Sequence, residues 1–368
     1  MNATLDNMKT NTMNIDENGR TIKIAIDMHL RSYRVVRQSG HLAPQPPQKF
    51  APPKFYPWLE KQLEQGDPVA VCYEAGCFGY EPARRMRDMG ARVYVIAPQD
   101  WDEKGKRQVN DKVDAVVMCR RLHNYLAGDS KALSIVHIPT PEQEERRACG
   151  RLREQLRRQM RRMQAMGRSL LLQREIVVKG RWWTRATWAS LPGRAPSWVI
   201  EQLSTWKEII ELIERKAKEV EKHMEDAAPA RLLRGEGKLT HELFERELID
   251  PHRFSNGRQV GNYFGLCPSE SSSGNSRRLG SITKRGNPRL RWLVIQMAWR
   301  VMLFQPRYHA AQKWLPILRD KKLSSSARKK AIVALARRLA VDLWRISTGR
   351  TKPEDLGLVL GPHEMAAA

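Results

Sequence analysis

At Thr140-Pro141-Glu142-Gln143 the chain changes its hydrophobic period, and this break constrains the fold more than any other feature. Before it, strand-like runs over 21–27, about 32–38, 69–74 and 92–97 alternate with helical stretches near 55–65, 80–89 and 111–126. Such alternation builds an α/β domain around a mixed sheet. In the first run, Thr21-Ile22-Lys23-Ile24-Ala25-Ile26, three isoleucines point to one face. A proline-rich insert (Pro44, Pro46, Pro47, Pro52, Pro53, Pro57) leaves open where a further edge strand lies. The break itself reads as a helix start, with Thr as N-cap, Pro at the first helical position and Gln closing a capping box.

Beyond the break, apolar positions recur at steps of three and four. One helix carries Cys149, Leu152, Leu156, Gln159, Met163, Met166 and Leu170, and a second carries Leu203, Trp206, Ile210, Ile213, Ala217, Val220 and Met224. Two heptad-like seams joined by a Trp- and Pro-containing connector, Trp182 to Pro196, predict an antiparallel coiled-coil arm or a dimer contact. From about Arg231 the chain is mainly helical and rich in loops. The fold class is therefore α/β plus all-α, and 368 residues suffice for two domains with a connector. Residues 1–19 read as a disordered leader.

Charge narrows the partners. Sixty-five Lys and Arg against 40 Asp and Glu give a net charge of +25 and a pI near 10.2, which calls for a polyanion. No apolar run approaches the length of a membrane span and the N-terminus is polar, so nucleic acid is favoured over a membrane surface. Five scattered cysteines without a CxxC pair fit a reducing cytoplasm and argue against a zinc module or a disulfide framework. Nine arginines lie between Arg146 and Arg168 with one acid, Glu154. Like charges so crowded repel one another, so a phosphate backbone is expected along this helix, with Arg157, Arg158, Arg161 and Arg162 as contacts. Between Asn275 and Lys352 there are twenty Lys or Arg and two acids, interleaved with Trp292, Trp299, Phe304, Tyr308, Trp314 and Trp344. At helical spacing most of these rings belong to a core and a minority are available for base stacking.

Four carboxylates stand out against this basic background. Asp27 and Glu74 end the runs IAID and VCYE, and strands finishing side by side bring such acids to one edge of a sheet. Asp111 and Asp114, three apart at a helix start behind Asn110 as candidate N-cap, project from one face. Alone, each acid also fits a turn, a cap or a complement to the helix dipole. As a set they suit Mg²⁺, which takes oxygen ligands and keeps waters that a phosphate can displace; Mn²⁺ can substitute. They form the skeleton of a metal-dependent phosphoryl-transfer site.

The last motif is Gly265-Leu266-Cys267-Pro268-Ser269-Glu270-Ser271-Ser272-Ser273-Gly274, followed by Leu279-Gly280-Ser281-Ile282-Thr283-Lys284-Arg285-Gly286-Asn287-Pro288-Arg289-Leu290-Arg291. By composition it is a Ser/Gly linker leading into a basic helix start. Together with the four acids and the helical arm, however, it resembles the DEDD-type insertion-sequence transposases, the bridge-RNA-guided serine recombinases, over roughly residues 21–350. Two stretches depart from that family's pattern: Leu233-Arg234-Gly235-Glu236-Gly237-Lys238 replaces a helix-hairpin signature, and Ala75-Gly76-Cys77 follows Glu74.

The resemblance implies a RuvC-like, RNase H-fold domain over 20–139, a coiled-coil arm over 140–230, a serine-bearing transposase domain over 231–352 and a tail over 353–368. It implies Asp27, Glu74, Asp111 and Asp114 as Mg²⁺ ligands and Ser273 as the nucleophile, with Ser272 as the neighbouring alternative. It further implies element and target double-stranded DNA as substrates, a structured non-coding guide RNA, a homo-oligomer with sites shared between subunits, and a cytoplasmic, nucleoid-associated location. Arg277, Arg278, Lys284, Arg285 and Arg289 are expected on nucleic acid from their charge and their place in the motif. Other readings of the same residues are a RuvC-like nuclease in which water attacks, a non-catalytic nucleic-acid-binding protein, and a site-specific invertase of the same family.

Overall fold

The computed structural model describes residues 19–98, 111–273 and 276–362, with backbone alone described at 111–113, 272, 273, 276, 277 and 362. All but the last residue of the expected leader, and the proposed cap Asn110, lie outside these residues. The chain divides into two compact units, residues 1–139 and 140–368.

In the N-terminal unit the chain order is β1 (Ile22–His29), β2 (Ser32–Ser39), β3 (Gln48–Phe50), α1 (Pro52–Leu63), β4 (Val69–Glu74), α2 (Glu81–Asp88), β5 (Arg92–Ile96) and α3 (Asp111–Leu126). The strands form one mixed sheet in the order β3-β2-β1-β4-β5. β1 pairs antiparallel to β2 and parallel to β4, and β4 pairs parallel to β5. The alternation seen in the sequence sorts the two faces. Ile22, Ile24, Ile26, Val71 and Val95 pack with Phe55 and Leu59 of α1 and Met86 of α2. Ala25, Ala70 and Cys72 face Ala115, Met118, Cys119 and Leu122 of α3. Each fully buried aliphatic side chain in these layers contributes about 1.5–3 kcal/mol. Lys23 is buried on the α3 face and donates to the Gly40 carbonyl at 2.9 Å, which gives its ammonium a hydrogen-bond partner. The edge strand whose position the prolines left open is β3, ending just before Pro52-Pro53.

The C-terminal unit begins with α4 (Pro141–Leu172), whose Thr140–Gln143 capping box is formed as the sequence predicts. Then follow α5 (Arg185–Ala189), α6 (Ser197–Asp226), β6 (Arg231–Leu233), α7 (Lys238–Leu248), α8 (Gly257–Tyr263), β7 (Pro268–Ser273), β8 (Ser276–Ile282), α9 (Pro288–Phe304), α10 (His309–Arg319), α11 (Ser325–Ser347) and β9 (Leu360–Pro362). α4 and α6 run antiparallel: Met224 approaches Gly150, while Glu221 meets Arg157 further along α4. The α6 seam is the expected one, with Leu203, Ile210, Ala217 and Met224 buried. On α4 half of the expected seam holds, with Leu170 buried and Leu156 and Met163 partly buried, while the other half is displaced by one position. Met160 and Gly167 face inward where Gln159 and Met166 were expected, and Leu152 is exposed. The cause is Trp182, whose indole lies against Gly167 where a Cβ would overlap it and whose Nε1 donates to the Gln164 carbonyl at 2.9 Å.

Around α9 and α11 lies the second core, in which Val260, Phe264, Leu290, Val294, Leu335 and Leu339 are buried. Residues 353–362, expected as a tail, belong to this body. Leu356 and Leu358 join its core, and β9 pairs antiparallel with β6. An apolar pair spaced two apart gave too short a pattern to reveal this.

Candidate active site and nucleic-acid surface

The first group of functional residues gathers at one edge of the N-terminal sheet. The last register pair between parallel β1 and β4 is Ile26↔Tyr73, so Asp27 and Glu74 stand side by side one residue beyond it. Both are half-buried. The His29 ring nitrogen Nε2 lies 3.0 Å from Asp27 Oδ2, and Arg34 is opposite Asp27 on β2. α3 crosses the sheet with its start toward this edge. Cys119 Sγ sits 3.8 Å from the Lys23 carbonyl, and Cys72 Sγ donates to the Met118 carbonyl at 3.9 Å. From Cys119 back to Asp111 is roughly 12 Å of helix, close to the roughly 13 Å of strand from Lys23 to Asp27. The first turn of α3 therefore reaches the level of Asp27, with Asp114 half-buried one turn below. The Asp111 side chain lies outside the described residues. The donor set is all carboxylate, which suits a hard divalent cation. Among the described residues no three His, Cys, Asp or Glu side chains come together as a metal-binding group.

The second group lies in the C-terminal unit. The serine segment forms an antiparallel two-stranded ribbon, β7–β8, with a register irregularity between Pro268 and Glu270. Ser273 occupies the last paired position, opposite Ser276; its side chain, like those of Ser272 and Arg277, lies outside the described residues. Arg278 is exposed and opposite Ser271. The base of the ribbon is clamped by backbone. Thr283 N–H donates to the Cys267 carbonyl at 2.8 Å, Lys284 N–H to Gly265 at 3.2 Å and Asn287 N–H to Tyr263 at 2.7 Å. Gly286, at φ +126°, is required because a Cβ there would run into the Asn262 and Tyr263 carbonyls. Lys284 and Arg285 point into solvent from this clamp, and Lys284 has a positive φ of 56°.

Asn287 then does two things. Its side-chain oxygen caps α9 by accepting from Arg289 N–H and Leu290 N–H, and its Nδ2 donates to Glu247 Oε2 at 2.9 Å. Glu247 is only 5% exposed and also accepts from Arg151 Nε at 3.0 Å. Arg289, expected on nucleic acid, pairs with Glu154 and lies 3.8 Å from Glu247. Burial raises the Glu154 carboxyl, but the hydrogen bond and charge of Arg289, joined by Arg158, hold it below the usual carboxylate range. These bonds tie the exit of the serine ribbon to α4 and α7.

The same ion pairs revise the picture of the arginine-rich helix. Arg153 and Arg157 both bond Glu221 of α6, at 2.7 and 2.8 Å, and Arg146 pairs with Glu242 of α7 at 3.6 Å. Counting acids along α4 missed these partners because they arrive from other helices. Arg158 pairs with Glu154 within α4, Arg161 Nε donates to the Arg157 carbonyl, and Arg161 and Arg162 remain exposed. No helix among the described residues is long and apolar enough to cross a membrane.

A pair of carboxylates on adjacent strands in one unit and a basic helical unit carrying a serine ribbon fit a protein that processes nucleic acid. Residues 231–313 match the model of the transposase family IS116/IS110/IS902. The Sinorhizobium fredii protein named "Putative transposase y4rJ" is 30% identical over 307 residues, covering 76% of each chain. The transposase for insertion sequence element IS1328 of Yersinia enterocolitica is 27% identical, covering 80% of this chain and 88% of that one. The transposase for IS1111A of Coxiella burnetii is 27% identical, covering 72% and 74% respectively. The chain belongs to the IS116/IS110/IS902 transposase family, and DNA transposition is the activity class that this membership carries.

Proposed function

We propose that this transposase exchanges DNA strands through a serine nucleophile, Ser273, working with a carboxylate site made of Asp27, Glu74, Asp111 and Asp114. The observation that carries the reading is the placement of Asp27 and Glu74 beside each other, one residue past the last pair of parallel β1 and β4, with the start of α3 directed to the same edge. The strand order, three antiparallel strands followed by two parallel ones, supports a RuvC-like domain over residues 20–139. The α4–α6 pair is the coiled-coil arm, and residues 231–352 carry the serine. The carboxylates would hold Mg²⁺, with Mn²⁺ as a substitute; when bound, it neutralises charge on the phosphate and favours ionisation of the attacking hydroxyl.

In the exchange, Ser273 Oγ forms a bond to phosphorus while the bond to the departing deoxyribose oxygen breaks. The proton lost by the serine is balanced by the one taken up by that oxygen, and the phosphoserine link stores the bond for rejoining. The hydroxyl end of a second strand then attacks phosphorus and releases the serine. The exposed Lys284, Arg285 and Arg278 hold phosphates flanking the ribbon. Element and target DNA are selected by a structured non-coding guide RNA, and subunits combine as a dimer or tetramer so that acid site and serine meet.

The test is a trapping assay with the protein, RNA expressed from the flanking DNA, labelled junction and target DNA, and Mg²⁺. A protein–DNA adduct on a denaturing gel that is absent in both Ser273→Ala and Asp27→Ala is the expected result. Cleaved DNA without an adduct overturns the serine mechanism in favour of attack by water. An adduct that persists in Ser273→Ala and disappears in Ser272→Ala moves the nucleophile by one residue.

A further inference from the structure

Of the rings expected mainly in the core, Tyr308 and Trp344 are buried, but α9 turns another set outward. Trp292 is 57% exposed, Trp299 36% and Leu303 67%, and Gln296 lies between them. At 3.6 residues per turn these four fall within about 60° of the helix circumference, forming one strip. The opposite side of the same helix, Leu290, Val294, Met297 and Val301, is buried in the core. α9 is thus fixed in place while its outer face offers indoles to solvent, an arrangement uncommon in a soluble chain without a partner.

The charge around the strip selects that partner. α9 contains no Asp or Glu. Lys284 and Arg285 are exposed just before its start, and Arg300 and Arg307 are exposed near its end. Arg300 is held there by donating to the Gly235 carbonyl and by lying 5.0 Å from the Phe304 ring centroid. Cations at both ends of an aromatic strip match a polyanion that also has flat apolar faces. A second copy joined through this same face would set its flanking cations against one another, with no carboxylate on α9 to offset them. Trp292 and Trp299 are seven residues apart, about 10 Å along the helix axis, which equals about three base steps of 3.4 Å.

We infer that the outer face of α9 is a stacking platform for an unpaired DNA strand, with Trp292 and Trp299 taking bases and the flanking cations taking phosphates. Duplex DNA does not present base faces to such a strip, whereas a strand opened for exchange does. The choice of DNA rests on the transposition reading above, but the platform does not depend on Ser273 as nucleophile.

The experiment is fluorescence anisotropy of the full chain with a labelled oligothymidylate of about 20 nucleotides, longer than the roughly 4–16 that one single-strand-binding module covers. A duplex and an oligouridylate of equal length serve as comparisons. Trp292→Ala and Trp299→Ala are each expected to weaken single-strand binding about tenfold, with Phe at either position restoring most of it. Leu, which keeps the apolar bulk without the π face, is expected to behave as Ala does. Duplex affinity, the salt dependence of binding and the thermal midpoint stay as in the wild type, because neither charge nor core is altered. Unchanged single-strand binding, an equal loss on duplex, or full activity of the Leu variants overturns the platform. Tighter binding of the oligouridylate overturns the assignment to DNA, and loss of self-association in the Ala variants assigns the face to a second copy. Ser273→Ala must bind the oligonucleotide normally; if it does but forms no less adduct than wild type, the serine mechanism fails while the platform stands.

Discussion

In the C-terminal unit Glu221, Glu242, Glu247 and Asp342 each meet arginines, whereas in the N-terminal unit Asp27 and Glu74 stand beside each other on neighbouring parallel strands, one residue past their last paired position. Asp342 is the extreme case of the first kind. Almost wholly buried, it accepts from Tyr308 Oη at 2.8 Å and from Arg338 and Arg345. Burial of the tyrosine, with the Asp342 charge beside it, pushes the phenol well above its ordinary range. Acids of this kind neutralise positive charge and fasten helices to one another. Acids beside each other on parallel strands instead bring negative charge close to negative charge. In the function proposed above, that is where a cation and a phosphate are handled.

Three changes break or sharpen the contrast. The largest effect is expected from Asp27→Asn, which keeps shape and removes charge. DNA strand transfer should fall by about 10³-fold or more while the urea midpoint stays near wild type. An unaltered rate would make Asp27 a structural acid like those of the other unit. Next is Glu247→Ala, which strips Arg151, Arg289 and Asn287 of a shared partner. Because the two guanidiniums are partly solvated, the cost is about 2–4 kcal/mol, read by chemical denaturation. A midpoint equal to wild type would remove Glu247 from the class of fastening acids.

The smallest effect is a pH dependence at His241, whose Nδ1 lies 3.1 Å from Glu236 Oε1. Burial lowers the histidine pKa, but the hydrogen bond and charge of Glu236 outweigh it and leave it above the usual 6.5. A raised folded-state pKa stabilises the fold fully below the unfolded value and loses that contribution as pH climbs through the folded one. The thermal midpoint of wild type relative to His241→Gln should therefore fall as pH rises from 6 to 8 in this window around roughly 6.5. A difference that does not vary with pH would show that this pair contributes no titrating bond.

Legibility in the sequence followed how local each signal was. Period-two runs placed β1, β2, β4 and β5 because alternation is decided within a few residues. The α6 seam was legible for the same reason. On α4, Leu152 and Met166 suggested a register that Gly167 and Arg153 in fact occupy one position further on. Glycine has no hydrophobic signal, and its role is to admit Trp182, which is brought back by the connector. The serine ribbon was hidden because Pro-Ser-Glu-Ser-Ser-Ser has neither alternation nor β-branched residues; its strands are held by backbone pairing and by the clamp at Gly265 and Gly286. The partners of Arg153 and Arg157 lie more than sixty positions away, so no window along the chain contains them. The acidic edge was foreseeable because strand ends and a helix start mark it directly.

The pairing of β6 with β9 governs where this protein tolerates trimming. β6 begins the segment that matches the family model, yet its hydrogen-bonding neighbour arrives at Leu360–Pro362, well past the end of that match at 313. A chain stopped at residue 352 would leave β6 with no strand partner and both edges bare, and deprive the core of Leu356 and Leu358. Bare edges recruit strands from other molecules, so such a shortened protein is expected to precipitate on expression, whereas one ending just after Pro362 stays soluble.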